Sequence, residues 1–387
     1  SVFNLMKIIM VFMLYQTWSR SERRMIRRPR RNSEIETKGN ARVFNRRSKT
    51  CFDPDVLIRK GIEFEQSVVL VTANFEYRGV LLNFLTSLEL AGVDPSKNVI
   101  VLCLDTQLNS LLNRIGLGNI CVYCKLISLR NKDAWHKSIW KSRVIALSTL
   151  LAANTSVTLS DLDALWLRDP RPYLQNADLI ASRGSFPGWA SKIWGASICM
   201  GFIHFNKGAS SFVQNKFLIA TLSKGDDQAA LNMALRSAGL VWNKQQDDQK
   251  LEYETSKLIN HGSTTNPTIT LDLLPHTSFV RLCHENHTRH NSLLTDNVVI
   301  LHCYTPKTVH NKQNSLAMRG LWFLADDWEM RLAQLSSLPT SSFTSSYFSQ
   351  QQRQARKYTA QITSSSFFRN TALPQLLRDT SLLFSVL

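Results

Sequence analysis

The feature that most constrains this chain is an apolar strand pattern that keeps returning between helix-length segments. Residues 66–74 (Gln-Ser-Val-Val-Leu-Val-Thr-Ala-Asn) are apolar without alternation and end in polar residues. An unbroken, valine-rich run of that length reads as a strand buried on both faces. Residues 77–91 follow with Val80, Leu81, Phe84, Leu85 and Leu88 at helical spacing, and Gly92 stops them. The pattern then repeats as strand 98–104, helix 106–117, strand 120–126, helix 137–153 and strand 156–160. Lys141 and Arg143 lie among the apolar positions of the long helix. This alternation predicts an α/β fold on a single, mainly parallel, Rossmann-like sheet with helices on both faces. Ligands of such sheets bind beyond the carboxyl ends of the strands. Past residue 170 the pattern is irregular. Aromatic residues and glycines cluster over 184–201, a strand is expected at 198–205, a helix at 228–238 and a late strand at 298–302.

Composition sorts the two ends from the body. Of 387 residues 44 % are apolar, which excludes wholesale disorder. The net charge of +17 is unevenly placed, because residues 1–50 hold 13 Lys or Arg against 3 Glu. A basic arm on a mildly basic globule argues against a nucleic-acid-binding body, and no nucleic-acid partner is expected. Residues 1–18 carry a single charge, Lys7, and read as a signal anchor, whole or truncated, or as a buried N-terminal helix. Seven arginines follow between Arg20 and Arg31, too many for any core, so 19–65 reads as a basic stem. The positive-inside tendency places that arm in the cytosol, whereas a lumenal body needs it on the far side. From 336 to 387 Ser, Thr and Gln dominate, and a mostly disordered tail is expected.

Seven cysteines, without a second Cys-x-x-Cys or a His pair at zinc spacing, speak against a zinc site. Cys103 and Cys303 sit in apolar runs and read as core, with one or two disulfides allowed if the body is lumenal. Sequons at Asn154 and Asn286 lean towards a secretory route.

The chemistry starts at Ser160-Asp161-Leu162-Asp163, directly after the strand Val157-Thr158-Leu159. Two carboxylates two residues apart on an extended segment face the same way and reach one cation at the sheet rim. Hard oxygen ligands suit Mn²⁺ or Mg²⁺, ions that keep positions open for phosphates. The motif continues as Ala-Leu-Trp-Leu-Arg-Asp-Pro170, and four further stretches accompany it in order: Val-Thr-Ala-Asn-Phe-Glu-Tyr77 with Asn83, Trp140-Lys-Ser-Arg-Val144, Asp226-Asp227-Gln228 through Asn232, and His302 through Lys312 into Arg319-Gly-Leu-Trp-Phe323. Together they resemble the nucleotide-diphospho-sugar transferase family, glycosyltransferase family 77, which includes the plant rhamnogalacturonan xylosyltransferases and arabinosyltransferases. The resemblance spans about residues 66–325. It implies a GT-A fold over 66–335, a single-pass type II Golgi membrane protein with a lumenal catalytic domain, a divalent cation, and retaining transfer of a sugar, a pentose or galactose, from a UDP-sugar to a glycan or glycoprotein. Relatives place a Gly after the closing His; here Cys303-Tyr-Thr-Pro-Lys intervenes without one.

The resemblance also implies roles. Asp163, and Asp161 directly or through ribose and water, hold the cation, and His302 completes its shell. Lys312, with Lys307 as competitor, and Lys141 meet the diphosphate. Thr72, Ala73 and Asn74 hold the nucleotide and Tyr77 stacks on the base. Asp226 caps a helix, so that Asp227 and Gln228 face the donor sugar as the catalytic pair. Trp189 and Trp194 line an acceptor groove or pack in the core. Two other readings are an inactive nucleotide-sugar-binding relative and a basic peripheral membrane or nucleic-acid protein, the latter suggested by the arginine arm.

Overall fold

The computed structural model describes residues 51–64, 67–126, 132–242, 260–281, 297–303, 308–324, 327–330 and 332. The expected anchor and tail, most of the stem, Asn286 and Lys307 lie outside the described residues. Among the described residues no helix is long and apolar enough to cross a membrane.

Residues 51–64, the last part of the expected stem, are built into the body. Helix α1 (Pro54–Glu63) is capped by the Asp53 carboxylate and fully buries Leu57 against the core. Strand β1 (Ser67–Ala73) leads into helix α2 (Arg78–Leu90), and β2 (Val99–Cys103) into α3 (Thr106–Arg114). Then come β3 (Cys121–Tyr123), the 21-residue α4 (Lys132–Ala152), β4 (Ser156–Ser160) and the two-residue β5 (Leu165–Trp166). Alternation of neighbours along β1 fixes the two layers. Val69, Val71 and Ala73 join one apolar cluster with α2 and α3, while Val68 and Leu70 join a second cluster with α4. A strand buried on both faces is what the continuous apolar run requires.

The second half adds β6 (Leu179–Gly184), α5 (Gly188–Trp194), β7 (Ser197–Phe205), α6 (Leu218–Lys224), α7 (Asp227–Ser237), β8 (Val241–Trp242), β9 (Asn260–Ser263) and β10 (Thr270–Leu273). Nine strands form one sheet in the order β3-β2-β1-β4-β7-β6-β10-β9-β8. The α/β class with helices flanking a large sheet is as expected, but the sheet is mixed. The strands β3, β2, β1 and β4 are parallel, whereas β7 runs antiparallel to both β4 and β6, and β9 antiparallel to both β8 and β10. Nor is the sheet single. The strands β11 (Phe279–Val280), β12 (Ile300–Leu301) and β5 form a second sheet of three. Helix α8 (Val309–Met318) follows it.

The closing Gly-Leu-Trp segment is tied down by one side chain. The buried Asn83 amide donates to Leu321 O at 3.0 Å, and its oxygen accepts from Phe323 N at 2.6 Å. Two motifs more than two hundred residues apart are thus halves of one hydrogen-bonded clamp.

The cysteines depart from expectation. Cys51 bonds to Cys124 and Cys103 to Cys121, and Cys303 is also disulfide-bonded. Cys103 and Cys303 are buried as expected, but as half-cystines rather than free core thiols. Apolar flanks report burial and are blind to a bonding partner that only the β2–β3 register brings alongside.

Candidate active site

The carboxyl edge of β4 carries the acidic motif. Asp161 N donates to Gly201 O at 2.8 Å, which continues the β4–β7 ladder by one residue. The chain then turns, and Ala164 N donates back to Asp161 O at 3.0 Å. The two carboxylates are therefore brought together by a tight turn, not by the extended segment expected from their spacing. Asp163 is buried, and the side chain of Asp161 is 37 % exposed.

The small sheet delivers the third group. Leu165 pairs with Leu301 in antiparallel register, so the residue after β12, His302, falls beside the acidic turn. His302 N donates to Val280 O at 2.8 Å, which holds the residue from its other side. His302 was expected at the end of a main-sheet strand; it comes from the second sheet and reaches the edge across β7. Gly201 makes that possible. A Cβ there would lie 1.8 Å from His302 Cε1, so any side chain would occupy the ring's place.

His302 Nε2 lies 3.7 Å from Asp161 Oδ2 and 3.8 Å from Asp163 Oδ1. Ligand atoms of these three residues all fall within 4.8 Å of one another. The other ring nitrogen, Nδ1, faces the buried Cys199 Sγ at 4.0 Å. One imidazole nitrogen aimed at two carboxylates, with the other engaged behind it, is a donor set that fits Mn²⁺ or Mg²⁺. Burial disfavours the His302 cation, but Cys199 and Asp163 outweigh it and raise the imidazole above its ordinary range. A bound cation would displace that proton. Burial likewise opposes the Cys199 thiolate, yet His302 and Arg281 bring the thiol down to about 7.

Two cations flank the set. Lys312 Nζ donates to Asp163 Oδ2 at 2.6 Å from the first turn of α8, a helix where a loop lysine was expected. Arg143 was not among the expected site residues, and it is the site's main organiser. From α4 its buried guanidinium donates through Nη1 to Asp161 Oδ1 at 2.8 Å and through Nε to Asp227 Oδ2 at 2.8 Å, with Nη2 also on Asp227. Burial pulls the arginine down, and the two carboxylates more than reverse it, so Arg143 stays charged. Burial raises the Asp227 carboxyl and Arg143 draws it back. The available signal was a guanidinium among apolar positions of a long helix, which needs a buried partner. Lys141 is buried two residues earlier, about 200° round the helix from Arg143.

Helix α7 positions the last group. Asp226 caps it, its carboxylate accepting from Ala229 N at 2.7 Å, as expected. Gln228 is held at both ends of its amide: Oε1 accepts from Met200 N at 3.2 Å, and Nε2 donates to Phe186 O at 2.5 Å. Asn232 grips the same strand, its oxygen on Ile198 N and its amide on Ile198 O.

Thr72 and Ala73 end β1, the strand next to β4, and Asn74 caps the following turn by accepting from Tyr77 N at 3.2 Å. Burial raises the Tyr77 phenol; Lys312 lowers it, and Asp163 acts to raise it, so Tyr77 shares the field of the acidic turn. Asp105 joins the ends of β1 and β2, accepting from Phe75 N and Leu108 N, both at 2.8 Å. Trp189 and Trp194 stand edge to face with centroids 5.5 Å apart, and Arg236 lies 5.3 Å from the Trp189 ring centroid.

The carboxyl edge of a helix-flanked α/β sheet thus gathers two carboxylates and an imidazole, with a lysine beside them. The particular family follows from the sequence: the nucleotide-diphospho-sugar transferase family matches residues 96–316, more than half of the chain, and the chain belongs to it. Among solved structures, the glycosyltransferase GlyE of Streptococcus pneumoniae TIGR4 is similar at 16 % identity over 72 % of this chain, with a TM-score of 0.40. The chain spans 66 % of the length of that protein. The galactosyltransferase LgtC, in complex with donor and acceptor sugar analogues, is similar at 14 % identity over 68 % of this chain and 99 % of its own, with a TM-score of 0.37. No curated protein sequence matches the chain.

Proposed function

We propose that this chain is a GT-A type, metal-dependent, retaining glycosyltransferase that moves a sugar, a pentose or galactose, from a UDP-sugar to a glycan or glycoprotein. The observation that carries the reading is the convergence of Asp161, Asp163 and His302 at the end of β4, joined through Arg143 to Asp227 beside Gln228. Asp161, Asp163 and His302 would hold Mn²⁺ or Mg²⁺, which supplies counter-charge for the departing diphosphate. Lys312 turns from Asp163 to the diphosphate when donor arrives. Thr72, Ala73 and Asn74 form the floor of the nucleotide site, Tyr77 flanks the base, and Lys141 backs the diphosphate side.

Gln228 carries the transfer step. An amide tethered at both ends presents its dipole without reorganising, the arrangement that stabilises charge developing at the anomeric carbon. It cannot form the stable glycosyl ester of a carboxylate nucleophile. Asp227 acts through Arg143 as a positioning residue, because it is buried beneath the guanidinium. Gln228→Ala is expected to lower turnover by roughly 10- to 1000-fold with donor affinity nearly intact. The product's anomeric configuration, read by NMR, tests retention, and an inverted product refutes the mechanism.

We further propose that residues 1–18 anchor the protein and that the body lies in the Golgi lumen. Disulfides persist in oxidising compartments, which supports that side of the membrane. Asn154 supports it too. It is exposed in a left-handed turn (φ 64°) before β4, at the end of that strand opposite the acidic motif, where a glycan leaves the site clear. Protease protection of the body in intact vesicles tests the placement; digestion from the cytosolic side refutes it.

A further inference from the structure

The stretch 185–195, between β6 and β7, has a role beyond the donor site. Both β4 and β6 run antiparallel to β7, so they finish at the same edge of the sheet. The residues that follow β6 therefore overhang the edge that carries the acidic turn. They form a well-built ledge. Ala190 is fully buried, Trp194 packs on the core, and Gly195 ends α5 in the left-handed region with its N–H on Ser191 O. The Ser191 hydroxyl donates to Ser185 O at 3.1 Å. The Trp189–Trp194 pair and Arg236 fasten the ledge to α7.

On this support Phe186 is 53 % exposed. A phenylalanine left in water forfeits the burial that favours it in a core. Its position has a chemical meaning. The Phe186 carbonyl is the acceptor of the Gln228 amide, so the exposed ring belongs to the very residue that touches the group placed at the anomeric carbon. An exposed aromatic ring on the residue that anchors Gln228 is suited to the C–H face of a pyranose, by dispersion and apolar contact. We propose that Phe186 receives the acceptor sugar ring and sets acceptor specificity; this rests on the donor-site reading above.

The test uses the full chain with Mn²⁺, UDP-galactose or UDP-xylose as donor, and a set of methyl pyranosides as single-ring acceptors. Phe186→Ala is expected to raise the acceptor KM about tenfold while the donor KM holds, and Phe186→Tyr to recover most of the loss. The recovery separates a stacking ring from a merely structural one. An acceptor KM that does not move, an equal loss in the Ala and Tyr variants, or no acceleration by any methyl pyranoside overturns the role of Phe186 while donor turnover stands. A wild-type chain that turns over neither donor overturns the donor-site reading and this proposal with it.

Discussion

Lys312 occupies the place that a divalent cation would contest, and this makes a prediction with two opposite signs. Its Nζ lies 2.6 Å from Asp163 Oδ2, with the side chains only 15 % and 8 % exposed. Opposite unit charges at that separation attract by about 6 kcal/mol at an effective dielectric of 20. Desolvation of the pair offsets most of that, leaving on the order of 1.5 kcal/mol for a charge-assisted bond. Mn²⁺ binding alone must break the bond, so Lys312→Met is expected to bind free Mn²⁺ about tenfold tighter. With UDP present the sign reverses. The variant lacks the ammonium that would meet the diphosphate, so the Mn²⁺–UDP complex is expected to bind about 10- to 100-fold more weakly. Without any ligand, loss of the Lys312 bond to Asp163 lowers stability by on the order of 1.5 kcal/mol, and Mn²⁺ restores it with the logarithm of its concentration. Electron paramagnetic resonance of free Mn²⁺ and calorimetric titration of UDP, on wild type and variant, read the two effects separately. A variant that binds free Mn²⁺ more weakly than wild type refutes the reasoning, because Lys312 would then be supporting the cation rather than standing in for it.

Two other consequences follow from single contacts. Gly201→Ala places a methyl group where the His302 ring sits, so it is expected to weaken Mn²⁺ binding at least tenfold in a chain whose circular dichroism is unchanged; intact affinity would remove His302 from the cation shell. Burial drives His204 from its ordinary 6.5 down to about 4, against the raising effect of Asn206. The folded state thus takes up the proton later than the unfolded chain. The stability of a neutral His204 is complete above pH 6.5, falls as the pH drops towards 4, and amounts to about 3 kcal/mol. Urea midpoints measured across that window should flatten in His204→Gln, and an unchanged slope would count against the buried neutral imidazole.

The first half of the fold was legible because β1, β2 and β4 are buried on both faces, which writes itself as unbroken apolar sequence. The second half was less so. The strands β5, β11 and β12 have two residues each, too short for any periodicity, yet they carry His302 to the acidic turn. The residue types of the site were visible as motifs, but its geometry was not. That Asp161 and Asp163 meet through a turn depends on one backbone bond, from Ala164 N to Asp161 O. That Arg143 joins Asp161 to Asp227 depends on where α4 sets its guanidinium. Gly201 shows the same limit from the other side. In sequence it is one glycine among several, and only the ring packed over its Cα reveals why no side chain fits there.

The central claim is that Asp161, Asp163 and His302 hold a cation for a nucleotide-sugar donor. Calorimetric titration of the full chain with UDP, with Mn²⁺ and with chelator, in wild type and Asp163→Asn, tests it most directly. Mn²⁺-dependent UDP binding that chelator removes is expected in the wild type, with no metal dependence in the folded Asp163→Asn variant. UDP binding that is equally strong in chelator, or a metal dependence that survives Asp163→Asn, would contradict it.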